Sequence, residues 1–412
     1  MKVTLFGAAR TVTGSAYLVE TNAARVLVEF GMMQGHDDHD GANVVPPAIN
    51  VPSLDAVLVT HGHLDHCGRL PLLIKAGYRG PIYATPATIE MVSLVLHDSA
   101  KVQAQDLARV NRRRMRAGLE PLEPLYSQDD VTETLSYMKP VDYEKPTPVA
   151  AGVTARWVEA GHILGSASIE LTLEEDGRRH VAIFSGDIGH LGQPLLRDPE
   201  RFSRADSVFM ESTYGDRNHR SLADTLEEAR VIINTALKRR GKILVPAFAI
   251  GRTQQLIYHI SAAFRHGVLP RFPVYLDSPM AEEATRLYLK HTELFDEEAM
   301  QLYQSGQLER DFSAVHFCQT AEESMALNNM EGPLMIMAGS GMCTSSRSPI
   351  TRAVMAALSR SVWMRNISPI WSPMVISGFS AVIGSWNTMA MPAPRTLRIS
   401  GSLSWQRSRP SK

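Results

Sequence analysis

Residues 56–66 read Ala56-Val57-Leu58-Val59-Thr60-His61-Gly62-His63-Leu64-Asp65-His66. An apolar run stops, and three imidazoles and a carboxylate follow at once. Neutral imidazole and carboxylate are the donors that borderline divalent metals prefer, zinc above all. Donors so close in sequence serve a single tetrahedral ion poorly. Two neighbouring ions, each finished by ligands from elsewhere, suit the spacing better. The bland alternative is a polar turn with chance histidines, but no packing need calls for three His in so short a stretch.

The remaining ligands should sit at other strand ends. Residues 153–158 alternate like a strand and run into Ala160-Gly161-His162; residues 180–184 end in Ser185-Gly186-Asp187; residues 207–210 end in Glu211-Ser212-Thr213. Each apolar run stops at one ionisable residue beside Gly, Ser or Thr, which is how an α/β sheet delivers side chains to one edge. Alone, His162 or Asp187 reads as an ordinary loop residue. Repetition of the pattern after the His cluster singles them out.

These motifs together resemble a known family. His-x-His-x-Asp-His, then His162 in Ala-Gly-His-Ile-Leu-Gly-Ser, then Asp187 in Phe-Ser-Gly-Asp-Ile-Gly, is similar to the metallo-β-lactamase-fold signature. Residues 210–215 (Met-Glu-Ser-Thr-Tyr-Gly), the opening 5–15 and residues 245–252 (Val-Pro-Ala-Phe-Ala-Ile-Gly-Arg) resemble its β-CASP subgroup, the nucleic-acid-processing branch. The resemblance spans roughly 1–345. It implies an α/β protein: an αββα metallo-β-lactamase sandwich over 1–207 and an inserted parallel α/β β-CASP domain over 208–345. By resemblance, His61, His63 and His162 hold one zinc, Asp65 and His66 the other, and Asp187 bridges them. Glu211 orients the final proton donor or the scissile phosphate. Glu29 stands where the family usually has Asp, in contact with a ligand His. The implied reaction is hydrolysis of a phosphodiester, in RNA.

Two departures from the family bear on competence. The chain has 14 His, the last of them His316, whereas the resemblance implies two more, one completing the second zinc site and one protonating the leaving group. From Gly332 to Lys412 there is no Asp, Glu or His, while four of the five Trp lie there. The segment 346–412 reads as an atypical tail from a coding frame slipped near 344–348, without the residues or periodicity to return to the first domain. The second zinc site is therefore expected to be incomplete. The rivals are a catalytically defective zinc- and RNA-binding relative, and a thioester or lactam hydrolase, which shares the metal motif.

Composition adds bounds. A net charge of −1 and 44% apolar residues describe an ordinary globular chain with no basic coat, so RNA must be gripped locally. Candidate phosphate contacts are Arg112, Arg113 and Arg114 on a helix over 87–118, and the helix starts Gly251-Arg252-Thr253, Ser278 and Ser340-Gly341, where free N–H groups attract anions. The bland reading of the arginines is a solvated face. Ser278 also suits an N-cap before Pro279. Cys67, Cys318 and Cys343 are dispersed and odd in number, as in a reducing cytoplasm. No signal peptide or membrane span is evident, and a homodimer is a further expectation. Residues 1–30 read as two strands of a hairpin or meander.

Overall fold

The computed structural model describes residues 1–9, 11–34, 41–216, 218 and 221–339, with the backbone of 395–398. The first sheet holds β1 (Lys2–Leu5), β2 (Tyr17–Glu20), β3 (Arg25–Val28), β4 (Ala56–Leu58), β5 (Ile82–Ala84) and β6 (Met138–Pro140), side by side in chain order. The first thirty residues thus form three strands rather than two, because Thr21 to Ala24 close a tight turn, held by Thr21 N–H to the Ala24 carbonyl at 2.9 Å. The second sheet runs β7 (Thr147–Ala150), β8 (Val153–Glu159), β9 (Ala167–Glu175), β10 (Arg178–Phe184) and β11 (Ser207–Phe209), again in sequence order.

Strand alternation builds the sandwich. Val26, Val28, Ala56 and Leu58 face Trp157, Ile169, Leu171 and Phe184 of the second sheet. Leu27, Val57 and Val59 take the opposite face, as period-2 side chains must, and pack under helices. Those helices are α1 (Leu64–Cys67), α2 (Leu70–Lys75), α3 (Pro86–Arg116) and α4 (Gln128–Ser136). Trp157 is fully buried, and its indole N–H donates to the Val59 carbonyl at 3.1 Å, tying the second sheet to the strand end that precedes His61.

After α5 (Leu222–Lys238), a third sheet of four parallel strands takes the order β12 (Lys242–Ala247), β15 (Leu334–Gly339), β13 (Val274–Asp277) and β14 (His316–Phe317). Helices α6 (Arg252–Arg265), α7 (Pro279–Lys290), α8 (Glu297–Gln304), α9 (Gln307–Ser313) and α10 (Ala321–Ala326) connect its strands. This is the inserted α/β unit. The boundary expected at 207/208 falls inside β11, which pairs parallel to β10, so the second unit starts after that strand. An apolar cluster runs from the helices of the first unit into the second through Ile163, Leu164, Ile257 and Tyr288.

One segment departs from the expectation for the tail. β16 (Arg395–Arg398) pairs antiparallel with β1, from Lys2↔Arg398 to Leu5↔Arg395. An edge strand offers a row of unpaired N–H and C=O groups, and a short extended segment satisfies it without needing an apolar period. The rest of 346–412, with Ser340, Gly341 and Cys343, lies outside the described residues.

Candidate metal centre

Every element that carries a candidate donor ends at one edge of the sandwich. β4 leads to His61 and His63, α1 holds Asp65 and His66, the turn after β8 holds His162, and the turn after β10 holds Asp187. The edge is tightly built. A Cβ on Gly31 would meet the Asp65 carbonyl oxygen at 1.5 Å, so only glycine lets that backbone approach the metal motif.

His61 Nε2 lies 3.1 Å from His63 Nδ1, and His162 Nε2 lies 3.2 Å from the same atom. Asp187 Oδ2 is 3.4 Å from His162 Nε2 and 3.8 Å from His61 Nε2. One shared proton cannot satisfy three imidazole nitrogens and a carboxylate facing one point. A cation can: ligands at about 2.1 Å in a tetrahedron stand about 3.4 Å apart. Electrostatics agrees. Burial keeps His61 well below the ordinary imidazole value and lowers His63. Burial and the neighbouring His63 push His162 down to about 3. All three are therefore neutral, with lone pairs available. Burial opposes ionisation of Asp187, but the His66 N–H and the surrounding imidazoles hold it well below the usual carboxylate range.

A second set adjoins the first. His66 Nε2 is 3.3 Å from Asp187 Oδ1 and 3.7 Å from Asp65 Oδ2. Asp187 thus presents one oxygen to the first set and one to His66, while Asp65, His66 and Asp187 are less closely gathered than the first four donors. Glu29, His61 and His66 also cluster closely enough to suggest a ligand group. Glu29 is better read as a hydrogen-bond acceptor, because its Oε1 already takes His66 Nδ1 at 2.8 Å and the Thr60 hydroxyl. Thr60 in turn contacts His61 Nδ1 at 3.0 Å, so one carboxylate orients a histidine of each set. Glu29 has φ 61°, a left-handed conformation uncommon outside glycine. For His66, burial works downward, yet Glu29 and Asp187 hold its proton well above the ordinary value.

Several of the residues singled out from the sequence have partners of their own in the structure. Glu211 accepts the Ile188 N–H at 3.0 Å, and its own N–H bonds the Ser185 hydroxyl, so its carboxylate braces the Asp187 turn. The Gly251 N–H is taken by Gln254 Oε1 at 2.8 Å, and the buried Thr253 hydroxyl donates to Phe248 O at 2.7 Å; neither is left for phosphate. Ser278 caps α7 by accepting the Ala281 N–H at 3.3 Å. Arg252 alone of these has an exposed side chain, its guanidinium 3.5 Å from Gln255 Oε1 and close enough to influence His162. Arg114 donates to the Glu120 carbonyl at 2.7 Å, folding the segment after α3 back on the helix. Arg112 and Arg113 are exposed but distant. Met91 abuts Gly62, and about six further helical turns carry α3 some 30 Å onward to Arg112. Cys67 is buried with its thiol on the Gly62 carbonyl, outside both donor sets.

Sequence reasoning missed the scaffolding of the His162 turn. Ser166 Oγ accepts the N–H groups of His162 and Ile163 at 3.0 and 3.2 Å. Gln193 binds the Gly161 carbonyl at 2.8 Å. The Thr85 and Thr88 hydroxyls, at the start of α3, each donate to the Gly165 carbonyl at 2.7 Å. Gly161, Gly165 and Ser166 around His162 were the only sequence signal for any of this.

Two donor sets sharing a carboxylate, at the edge of an αββα sandwich and abutted by a second α/β unit, define a metal-dependent hydrolase. Comparison with known proteins agrees. Residues 18–183 match the metallo-beta-lactamase superfamily domain and residues 253–357 the Beta-Casp domain. Ribonuclease TTHA0252 of Thermus thermophilus is 38% identical over 348 residues, covering 84% of this chain and 74% of its own length. The transcription termination factor FttA is 33% identical in Methanosarcina mazei and 31% in Methanocaldococcus jannaschii, and the chain spans about half the length of those relatives, 52% and 53%. The chain belongs to the β-CASP branch of the metallo-β-lactamase family.

Proposed function

We propose that this chain hydrolyses phosphodiester bonds in RNA with zinc as its resident cation. The observation that carries the reading is the adjoining donor sets joined by Asp187. Paired divalent cations lower the pKa of water and steady the attacking and leaving oxygens of an in-line displacement. His61, His63, His162 and Asp187 would hold the first cation, and Asp65, His66 and Asp187 the second. Neutral imidazole with carboxylate is a zinc-type donor set. The chain's own contribution is to keep His61, His63 and His162 deprotonated by burial, to fix the rotation of His61 and His66 through Thr60 and Glu29, and to place Arg252 near His162 as an anchor for phosphate. The relatives' names support RNA as the substrate; nothing comparable supports a thioester or lactam.

A second reading, metal and RNA binding with little turnover, draws on the lack of any His beyond His316. Cleavage of an end-labelled RNA by zinc-loaded wild type, His63→Ala and Asp187→Asn separates the two. We expect slow wild-type cleavage, abolished in both variants and by chelator. Full cleavage by His63→Ala would contradict the two-cation reading, and zinc-loaded wild type that binds RNA without cutting it would favour the second. The free, buried Cys67 and Cys318 fit a cytoplasmic setting, and we extend the reading to a homodimer, to be checked by sedimentation.

A further inference from the structure

Two loops of the first donor set adjoin the inserted unit, and one of them is held from it. The Leu164 N–H, two residues beyond His162, donates to the Tyr288 hydroxyl at 3.2 Å. Tyr288 belongs to α7 and is 1% exposed. The His63 ring also lies close enough to the Ile250 backbone, just before α6, to feel it electrostatically. Between these contacts there is no slack: a Cβ on Gly251 would lie 2.7 Å from Ile163 Cγ2.

We propose that Tyr288 is a positioning residue for the metal centre, and that seating of the inserted unit and binding of the first cation are one coupled event. The inference rests on the reading that His61, His63, His162 and Asp187 hold a cation. A histidine ligates only when its lone pair is aimed, and the aim of His162 is set by the 162–166 turn. The first unit anchors that turn through Ser166, Gln193, Thr85 and Thr88. The buried N–H at Leu164 finds its acceptor in the inserted unit. A buried donor deprived of its acceptor drives the backbone to rearrange, and here the rearranging backbone carries a ligand. His63 lies against the same unit, near the Ile250 backbone. Moving that unit away therefore loosens two ligands together, whereas a cation that fixes both ligands holds the unit in place; coupling of this kind is reciprocal.

The test uses the full chain and zinc alone, with affinity read by competition against a chromophoric chelator. Tyr288→Phe keeps the ring and removes only the acceptor. We expect it to bind the first zinc ~10-fold or more weakly, the range for partners that orient metal ligands. Tyr258→Phe is the control, because that hydroxyl bonds Glu298 within the inserted unit and should leave zinc affinity unchanged. In wild type, zinc should slow hydrogen exchange in peptides covering both 162–166 and 248–254. Equal zinc affinity of Tyr288→Phe and wild type, with only a lower melting temperature, would overturn the proposal and leave Tyr288 a packing residue. Should Tyr288→Phe fail to fold, wild-type exchange decides: zinc that protects 162–166 but not 248–254 would overturn the coupling. Wild type that takes up no zinc would overturn the metal reading itself, a separate result.

Discussion

At the scale of single residues, Glu159 shows how closely the metal edge is packed. It ends β8, and its carboxylate accepts the Gly161 N–H at 2.8 Å. Burial raises its carboxyl to about 7, although the Gly161 N–H pulls the other way. The folded state therefore favours the protonated form. Its contribution to stability is complete below the unfolded value of 4.5 and is lost as pH rises toward 7. The loss is on the order of 3 kcal/mol. Glu159→Gln should retain the Gly161 bond, lose this pH dependence and melt above wild type at alkaline pH. Parallel melting curves for the two proteins from acid to alkaline pH would show that Glu159 is solvated. The donors themselves were legible because ligand chemistry concentrates rare residue types at strand ends. Tyr288, Gln193 and Thr85 were not, since a Tyr or Thr on a helix reads as packing or capping until tertiary structure shows what its hydroxyl meets. Gly251, Thr253 and Ser278 misled for the converse reason: polar helix-start groups satisfy their own helix before any ligand.

At the scale of elements, strand and helix order was readable from period and turn residues, but the direction of α3 was not. Its sequence places basic residues soon after the metal motif; its geometry carries them away from it. Arg112, Arg113 and Arg116 are exposed near the far end of a 31-residue helix. A separation of about 30 Å corresponds to roughly nine stacked nucleotides. Replacing these three arginines with Ala should weaken binding of a 20-nucleotide RNA several-fold and flatten its salt dependence, while a five-nucleotide RNA binds as before. Equal weakening for both lengths would place the arginines at the centre instead. Arg114 is left out because its bond to Glu120 shapes the return segment.

At the scale of the whole molecule, the two units share one apolar cluster and one metal edge, and the family match covers both. A chain with the alternative frame restored beyond residue 345 should gain the late histidines and cut RNA roughly a hundred-fold faster, the usual worth of a placed proton donor. Equal turnover would mean that the present tail is a working C-terminus. What the donor geometry claims most directly is that four side chains close around one cation, while its neighbour is short of a ligand. Elemental analysis of the purified chain before and after mild chelation tests this. One zinc retained per chain and a second readily lost is the expected result; two equally tenacious zincs, or none, would contradict it.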